Sequence, residues 1–132
     1  MTLKEYLQGV SGKGVLSTAD AKGKVDAAIY SKPHFLEDGT LAFIMRDHLT
    51  HHNLESNPYA TYLFIEDGPH YKGIRLFLKK VREDTNPELI AKMTRRHLTS
   101  EQDKARGPKF LVYFSLGKML PLIGSGETGI QL

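Results

Sequence analysis

Short runs of strand-forming residues, each bounded by glycine, aspartate or proline turns, set the narrowest limits on how this chain can fold. They are Gly14 to Ala19, Val25 to Ser31, Thr40 to Met45, Tyr59 to Ile65, an alternating stretch carrying Ile74, Leu76 and Leu78, and Phe110 to Leu116. Asp20-Ala21-Lys22-Gly23 joins the first two as a hairpin, and Glu37-Asp38-Gly39 and Glu66-Asp67-Gly68-Pro69 turn the chain further on. Lys79-Lys80 before Val81 shifts the alternation of the fifth run and predicts a bulge there. Six strands with short turns and few helices predict a small β-barrel or α+β domain, not a parallel doubly wound sheet.

The helical signals are few and local. Thr2-Leu3-Lys4-Glu5 has the form of a capping box, with Leu3, Tyr6, Leu7 and Val10 on one face. Arg46 to Ser56 reads as a short helix with Asp47 as its N-cap, stopped by Asn57-Pro58 because the residue before proline is pushed out of the helical region. Asn86-Pro87-Glu88 opens another, with an N-cap, a proline in the first turn and an acid near the positive end. Leu89, Ile90 and Met93 would be its buried stripe. Thr99 to Gly107 reads as polar connection, and Gly117 to Leu132 shows no clear period.

With 132 residues the chain is expected to be one domain spanning 1–132. That is enough for a core but short for an enzyme that encloses both cofactor and substrate in one protomer. The absence of cysteine excludes thiolate metal sites, iron–sulfur clusters, disulfides and a cysteine nucleophile. The apolar runs fall far short of the roughly 20 residues that span a bilayer. Met1 to Val10 reads as an amphipathic helix instead of a secretory leader, so a cytoplasmic protein with no membrane partner is expected. The net charge of +3 arises in the second half, in Lys72, Arg75, Lys79, Lys80 and Arg82 and then Lys92, Arg95 and Arg96. These positions read as solvated faces of a strand and a helix. No zinc finger, GXXG loop or RNP-type motif accompanies them, so nucleic acid is not the expected partner.

Chemical content concentrates in the third strand and the turn after it. Arg46 ends that strand and opens a turn holding Asp47, His48, Thr50 and His51. A helix N-terminus attracts anions through its free N–H groups and its dipole, the guanidinium fork suits phosphate, and Thr50 adds a hydroxyl. The alternative is a helix capped by Asp47 beside an ordinary surface arginine. His48, His51 and His52, at i, i+3 and i+4, would suit a metal, yet the general-base glutamate of H-E-x-x-H is missing, so no metal is assigned. His34 and His70 lie beside prolines and read as loop positions, and His97 as a partner of a helix C-terminus. No nucleophile elbow, Walker loop or dinucleotide fingerprint is present, and no catalytic residue is assigned.

Three segments together resemble the pyridoxamine-phosphate-oxidase-like FMN-binding split-barrel family: Gly14 to Asp20, Val25 to Tyr30, and Leu41 to Pro58 with its asparagine-proline strand start. The resemblance covers most of residues 10–116 and implies a six-stranded antiparallel split β-barrel with short flanking helices, mainly β within the α+β class. It implies an FMN phosphate held by Arg46, Thr50 and His51 or His52, although many members carry a lysine where this chain has Thr50. Ala28, Ile29, Tyr30, Ile44 and Met45 would lie along the isoalloxazine. Members are typically homodimers with flavin at the interface, so the partner's sixth strand and tail, around Tyr113 and Met119 to Leu122, would finish each pocket. The implied activity is an FMN-dependent oxidoreductase taking electrons or hydride from NADH or NADPH. The chain ends without the R-L-x-P segment of true pyridoxine-phosphate oxidases, which argues against pyridoxamine phosphate as substrate.

Three rivals stand beside this expectation. The same barrel would also suit haem or a deazaflavin, both uses of the superfamily. A cofactor-free structural or regulatory dimer predicts no FMN affinity. A zinc hydrolase predicts bound metal.

Overall fold

The computed structural model describes residues 1–94 and 99–131. Its elements in chain order are α1 (Leu3–Gly9), β1 (Gly12–Ala19), β2 (Val25–Ile29), β3 (His34–Phe35), β4 (Leu41–Arg46), α2 (Leu49–Ser56), β5 (Tyr59–Glu66), β6 (Gly73–Asp84), α3 (Pro87–Met93), α4 (Ser100–Ala105) and β7 (Lys109–Pro121). The strands form one sheet in the order β2-β1-β5-β6-β7-β4-β3, and every pairing is antiparallel. The class is the expected one, with seven strands instead of six. The extra strand, β3, is two residues long, too short to leave an alternation in the sequence.

Alternation builds the inner face. Leu16 and Thr18 of β1, Ala60, Tyr62 and Phe64 of β5, and Ile74, Leu76 and Leu78 of β6 all turn inward and are buried. Fully burying a large apolar side chain of this kind stabilises by roughly 1.5–3 kcal/mol relative to leaving it exposed. β4 is different: Leu41, Ala42 and Phe43 are all buried, because α3 covers the outer face through Ile90 while the barrel interior takes the other. A strand covered on both sides reads as a continuous apolar run, as Thr40 to Met45 does.

α1 carries the reciprocal Thr2–Glu5 capping box and buries Leu3 and Leu7. α3 begins as its sequence predicts: the Asn86 side chain accepts from the backbone N–H groups of Glu88 and Leu89, and Pro87 occupies the first turn. Ile90 is its fully buried residue, with Leu89 and Met93 packed beside it. Ladder irregularities in β6·β7 fall between Phe77 and Leu78 and between Lys80 and Arg82, the latter beside the expected bulge.

Four expectations are corrected. Asp47 does not cap α2; His48 is the N-cap residue and makes no side-chain cap bond, while the Asp47 carboxylate reaches forward to His51. Thr99 to Gly107 is not plain connection, because Thr99 and Gln102 form a capping box that starts α4. The tail is not without structure: β7 runs to Pro121 against β6, and Gln131 donates to Met1 O and accepts from Leu3 N. His34 lies in β3 instead of a loop. Arg95, Arg96 and His97 lie outside the described residues.

Candidate functional site

β2 and β4 stand far apart in the sheet order, yet the ring of Tyr30, just after β2, lies 6.0 Å from that of Phe43 on β4. The sheet therefore curls until its two ends nearly meet. Among the described residues no ladder joins β2 to β4, and β3 covers β4 only at Leu41 and Ala42. The rest of β4, Phe43 to Arg46, thus presents an unpaired edge. A cavity of about 400 Å³ occupies this seam, within the range of roughly 300–1,000 Å³ that small-molecule sites span.

Aromatic packing fixes the apolar wall. Phe43 meets Tyr30, Tyr62 and Phe114 at centroid distances of 6.0, 5.1 and 5.8 Å. The Tyr62 hydroxyl donates to the Tyr30 carbonyl at 3.2 Å. Room for that hydroxyl exists because residue 14 is glycine; a Cβ there would overlap both the Tyr62 hydroxyl and the Tyr30 carbonyl oxygen. Burial pushes the Tyr30 phenol above its ordinary pKa; the charge of Asp26 adds to the rise and a hydrogen bond with Thr50 opposes it. Ile29, Ile44 and Met45 complete the apolar lining.

The other end of the cavity is cationic. Arg46, Arg106 and Lys109 line it, with His48 beside them and Lys32 and His34 further along. No aspartate or glutamate is among the described lining residues. Arg46 and Lys109 are cross-strand partners in β4·β7, and both reach one carboxylate oxygen, Asp103 Oδ1, at 2.7 and 2.9 Å. The Arg46 guanidinium also donates to the carbonyls of Asp103 and Gly107, at 3.2 and 2.7 Å. Its side chain is only 18% exposed. The hydrogen bond from Lys109, then that from Arg46, holds the Asp103 carboxyl below its ordinary pKa. Two cations converging on one anionic oxygen, here a carboxylate of the same chain, is an arrangement that suits a phosphate oxygen as well.

Of the ten residues singled out by sequence, the structure gathers Ile29, Tyr30, Ile44, Met45 and Arg46 around the cavity. Ala28 sits on β2 next to them but is not part of the lining. Thr50 is buried and is not part of the lining. His51 is buried between carboxylates, 3.1 Å from Asp47 and 3.2 Å from Glu83, and stacks on Phe110 at 3.8 Å. His52 is exposed, 3.6 Å from the Asp47 carboxylate. Tyr113 is covered by its own chain, with Ile90 in its cluster and the Arg82 guanidinium 3.9 Å over its ring. The triple-histidine arrangement is divided: His48 faces the cavity, while His51 and His52 face Asp47 and Glu55.

Sequence reasoning missed Lys109, Arg106 and Asp103. Lys109 and Asp103 come to Arg46 across some 60 positions of chain, through strand pairing and α4. The one local signal was the Thr99–Gln102 capping box, which would have placed a helix and its acid just before β7.

No protein-family model and no curated protein sequence matches the chain. Solved structures do. An FMN-binding protein from Syntrophomonas wolfei subsp. wolfei matches with a TM-score of 0.70 at 20% identity, over 91% of this chain and 83% of that one. An F420 reductase matches at 0.64 and 16% identity, over 87% and 94%. HutZ, the haem storage protein from Vibrio cholerae, matches at 0.62 and 21% identity, over 91% and 94%. What these proteins share with the present chain is the fold, the pyridoxamine 5'-phosphate oxidase-like split barrel.

Proposed function

We propose that this split barrel binds FMN in the seam between β2 and β4 and serves as an oxidoreductase fed by NADH or NADPH. The observation that carries the reading is one cavity with an apolar, aromatic-backed wall and a cationic end where Arg46 and Lys109 converge on a single carboxylate oxygen of Asp103. A flat apolar ring system carrying a phosphate needs both. In this reading Arg46 and Lys109 exchange the Asp103 carboxylate for the phosphate, and Arg106 and His48 add charge and a donor. Ile29, Tyr30, Ile44 and Met45 flank the ring, and the open backbone edge of β4 offers N–H and C=O groups to its polar rim. His51 and His52 face carboxylates, which would repel a phosphate, so they are left out of the phosphate site. FMN, when bound, supplies hydride or single-electron chemistry, and the chain supplies binding, orientation and exclusion of water.

A second copy of the chain is part of this proposal. Val25 and Ile29 on the outer strand β2 are 84% and 75% exposed, a costly arrangement for a lone molecule. Packing them on a partner would also roof the open side of the cavity. The domain is proposed to be single across residues 1–132. Among the described residues no helix is long and apolar enough to cross a membrane.

Haem is the second reading, favoured by the imidazoles of His34 and His48 at the cavity and by the likeness to a haem storage protein. A deazaflavin would use the same wall and cationic end. The absorption spectrum of the protein as purified, with mass spectrometry of the ligand it releases, tests all three. Oxidised flavin bands with FMN released support the proposal, and a Soret band or a released deazaflavin replaces it.

A further inference from the structure

The geometry points to a second site, separate from the cavity: we propose that Asp47, His51 and Glu55 bind a divalent transition-metal ion of the zinc, cobalt or nickel type. The ligand atoms of these three residues lie within 4.8 Å of one another. His51 Nδ1 is 3.1 Å from Asp47 Oδ1 and 3.4 Å from Glu55 Oε1. Bonds of about 2.1 Å in a tetrahedral shell put neighbouring ligand atoms about 3.4 Å apart, so the trio is already close to an ion's coordination edges. On the solvent side the exposed His52 ring lies alongside, its Nε2 3.6 Å from Asp47 Oδ1 and its Nδ1 3.9 Å from Glu55 Oε1.

The second observation concerns the far side of the His51 ring. Glu83, from β6, lies 3.2 Å from Nε2, and Lys80 in turn binds Glu83 at 2.6 Å. A carboxylate that fixes one imidazole nitrogen while the other faces an ion is the usual outer shell of a metal-bound histidine. Phe110 stacks on the ring with planes 14° apart and sets its orientation.

An imidazole whose Nε2–H is donated to Glu83 has its Nδ1 lone pair turned toward the Asp47 and Glu55 carboxylates, and in that tautomer the three groups can converge on one cation. The mixed nitrogen and oxygen donor set favours zinc-like ions over magnesium or calcium. A bound ion would also tie the start of α2 to the Arg46–His48 turn that borders the cavity.

The test is calorimetric titration of ZnCl2 into untagged, chelator-treated full-length protein, repeated for Glu55→Gln, for Asp47→Asn with Glu55→Gln, and for Glu83→Gln. The exposed carboxylate variants keep the buried ring in place. About one zinc per chain is expected, weakened at least about tenfold in Glu55→Gln and abolished in the double variant. Glu83→Gln should weaken it roughly 10- to 100-fold. No stoichiometric zinc binding by the parent protein overturns the site. So does zinc binding that the double variant leaves intact. Neither outcome depends on whether the cavity holds FMN.

Discussion

The guanidinium of Arg46 is held to Asp103 twice, through the carboxylate oxygen at 2.7 Å and the backbone carbonyl at 3.2 Å. Arg46 ends a strand of the barrel and Asp103 sits on a short capped helix, so the pair fastens α4 beside the cationic end of the cavity. A phosphate entering there competes with a carboxylate already in position. Removing the competing charge with Asp103→Asn should tighten FMN binding several-fold while changing riboflavin binding little. Fluorescence titration of both ligands reads the difference, and an equal effect on the two would place the pair outside the phosphate site.

The same pair gives acid sensitivity a sign. The Asp103 carboxyl is held below its ordinary pKa by Lys109 and then Arg46, so its contribution is present above the ordinary carboxylate value and fades as pH falls through the lowered one. The loss therefore belongs below about pH 4. Thermal melts across that range should show a shallower acid limb in Asp103→Asn than in the parent chain. An unchanged limb would mean the pair contributes nothing to folding.

Phe43 touches three rings and backs the cavity wall. Phe43→Ala should cost about 3–5 kcal/mol in a denaturant titration. Phe43→Leu keeps most of the volume and should cost clearly less. A near-neutral Phe43→Ala would show that the three rings close up without it.

Asn53 and Thr18 form a buried side-chain pair, amide to hydroxyl at 3.0 Å, that pins α2 to β1. Thr18→Val removes the acceptor while keeping the shape, and the unpaired amide should cost roughly 1–3 kcal/mol. Chemical denaturation measures it. A neutral result would show that the amide finds another partner.

Much of the barrel was legible because its determinants are local. The inward alternation of Leu16, Tyr62 and Leu76, the Asn86-Pro87 start of α3 and the Thr2–Glu5 box each declare themselves within a few residues. β3 was not, since two residues carry no period. The site was half legible. Arg46 and the apolar β4 residues stand out in sequence, and β4 itself brings them to the cavity. Lys109 and Asp103 become site residues only through strand pairing and the docking of α4, which no local pattern encodes. Asp47 misled for a related reason: its carboxylate lies 3.1 Å from the ring of buried His51 instead of on the N–H groups of the helix start.

Parallel fluorescence titrations of FMN and riboflavin into the parent chain and Arg46→Ala put the phosphate grip to direct measurement. The parent should bind FMN more tightly than riboflavin. Arg46→Ala should lose roughly 1.5–3 kcal/mol of FMN affinity, about 10- to 150-fold, with riboflavin nearly unchanged. Equal affinities for the two ligands in the parent, or an equal loss of both in the variant, would contradict a phosphate held at the end of β4.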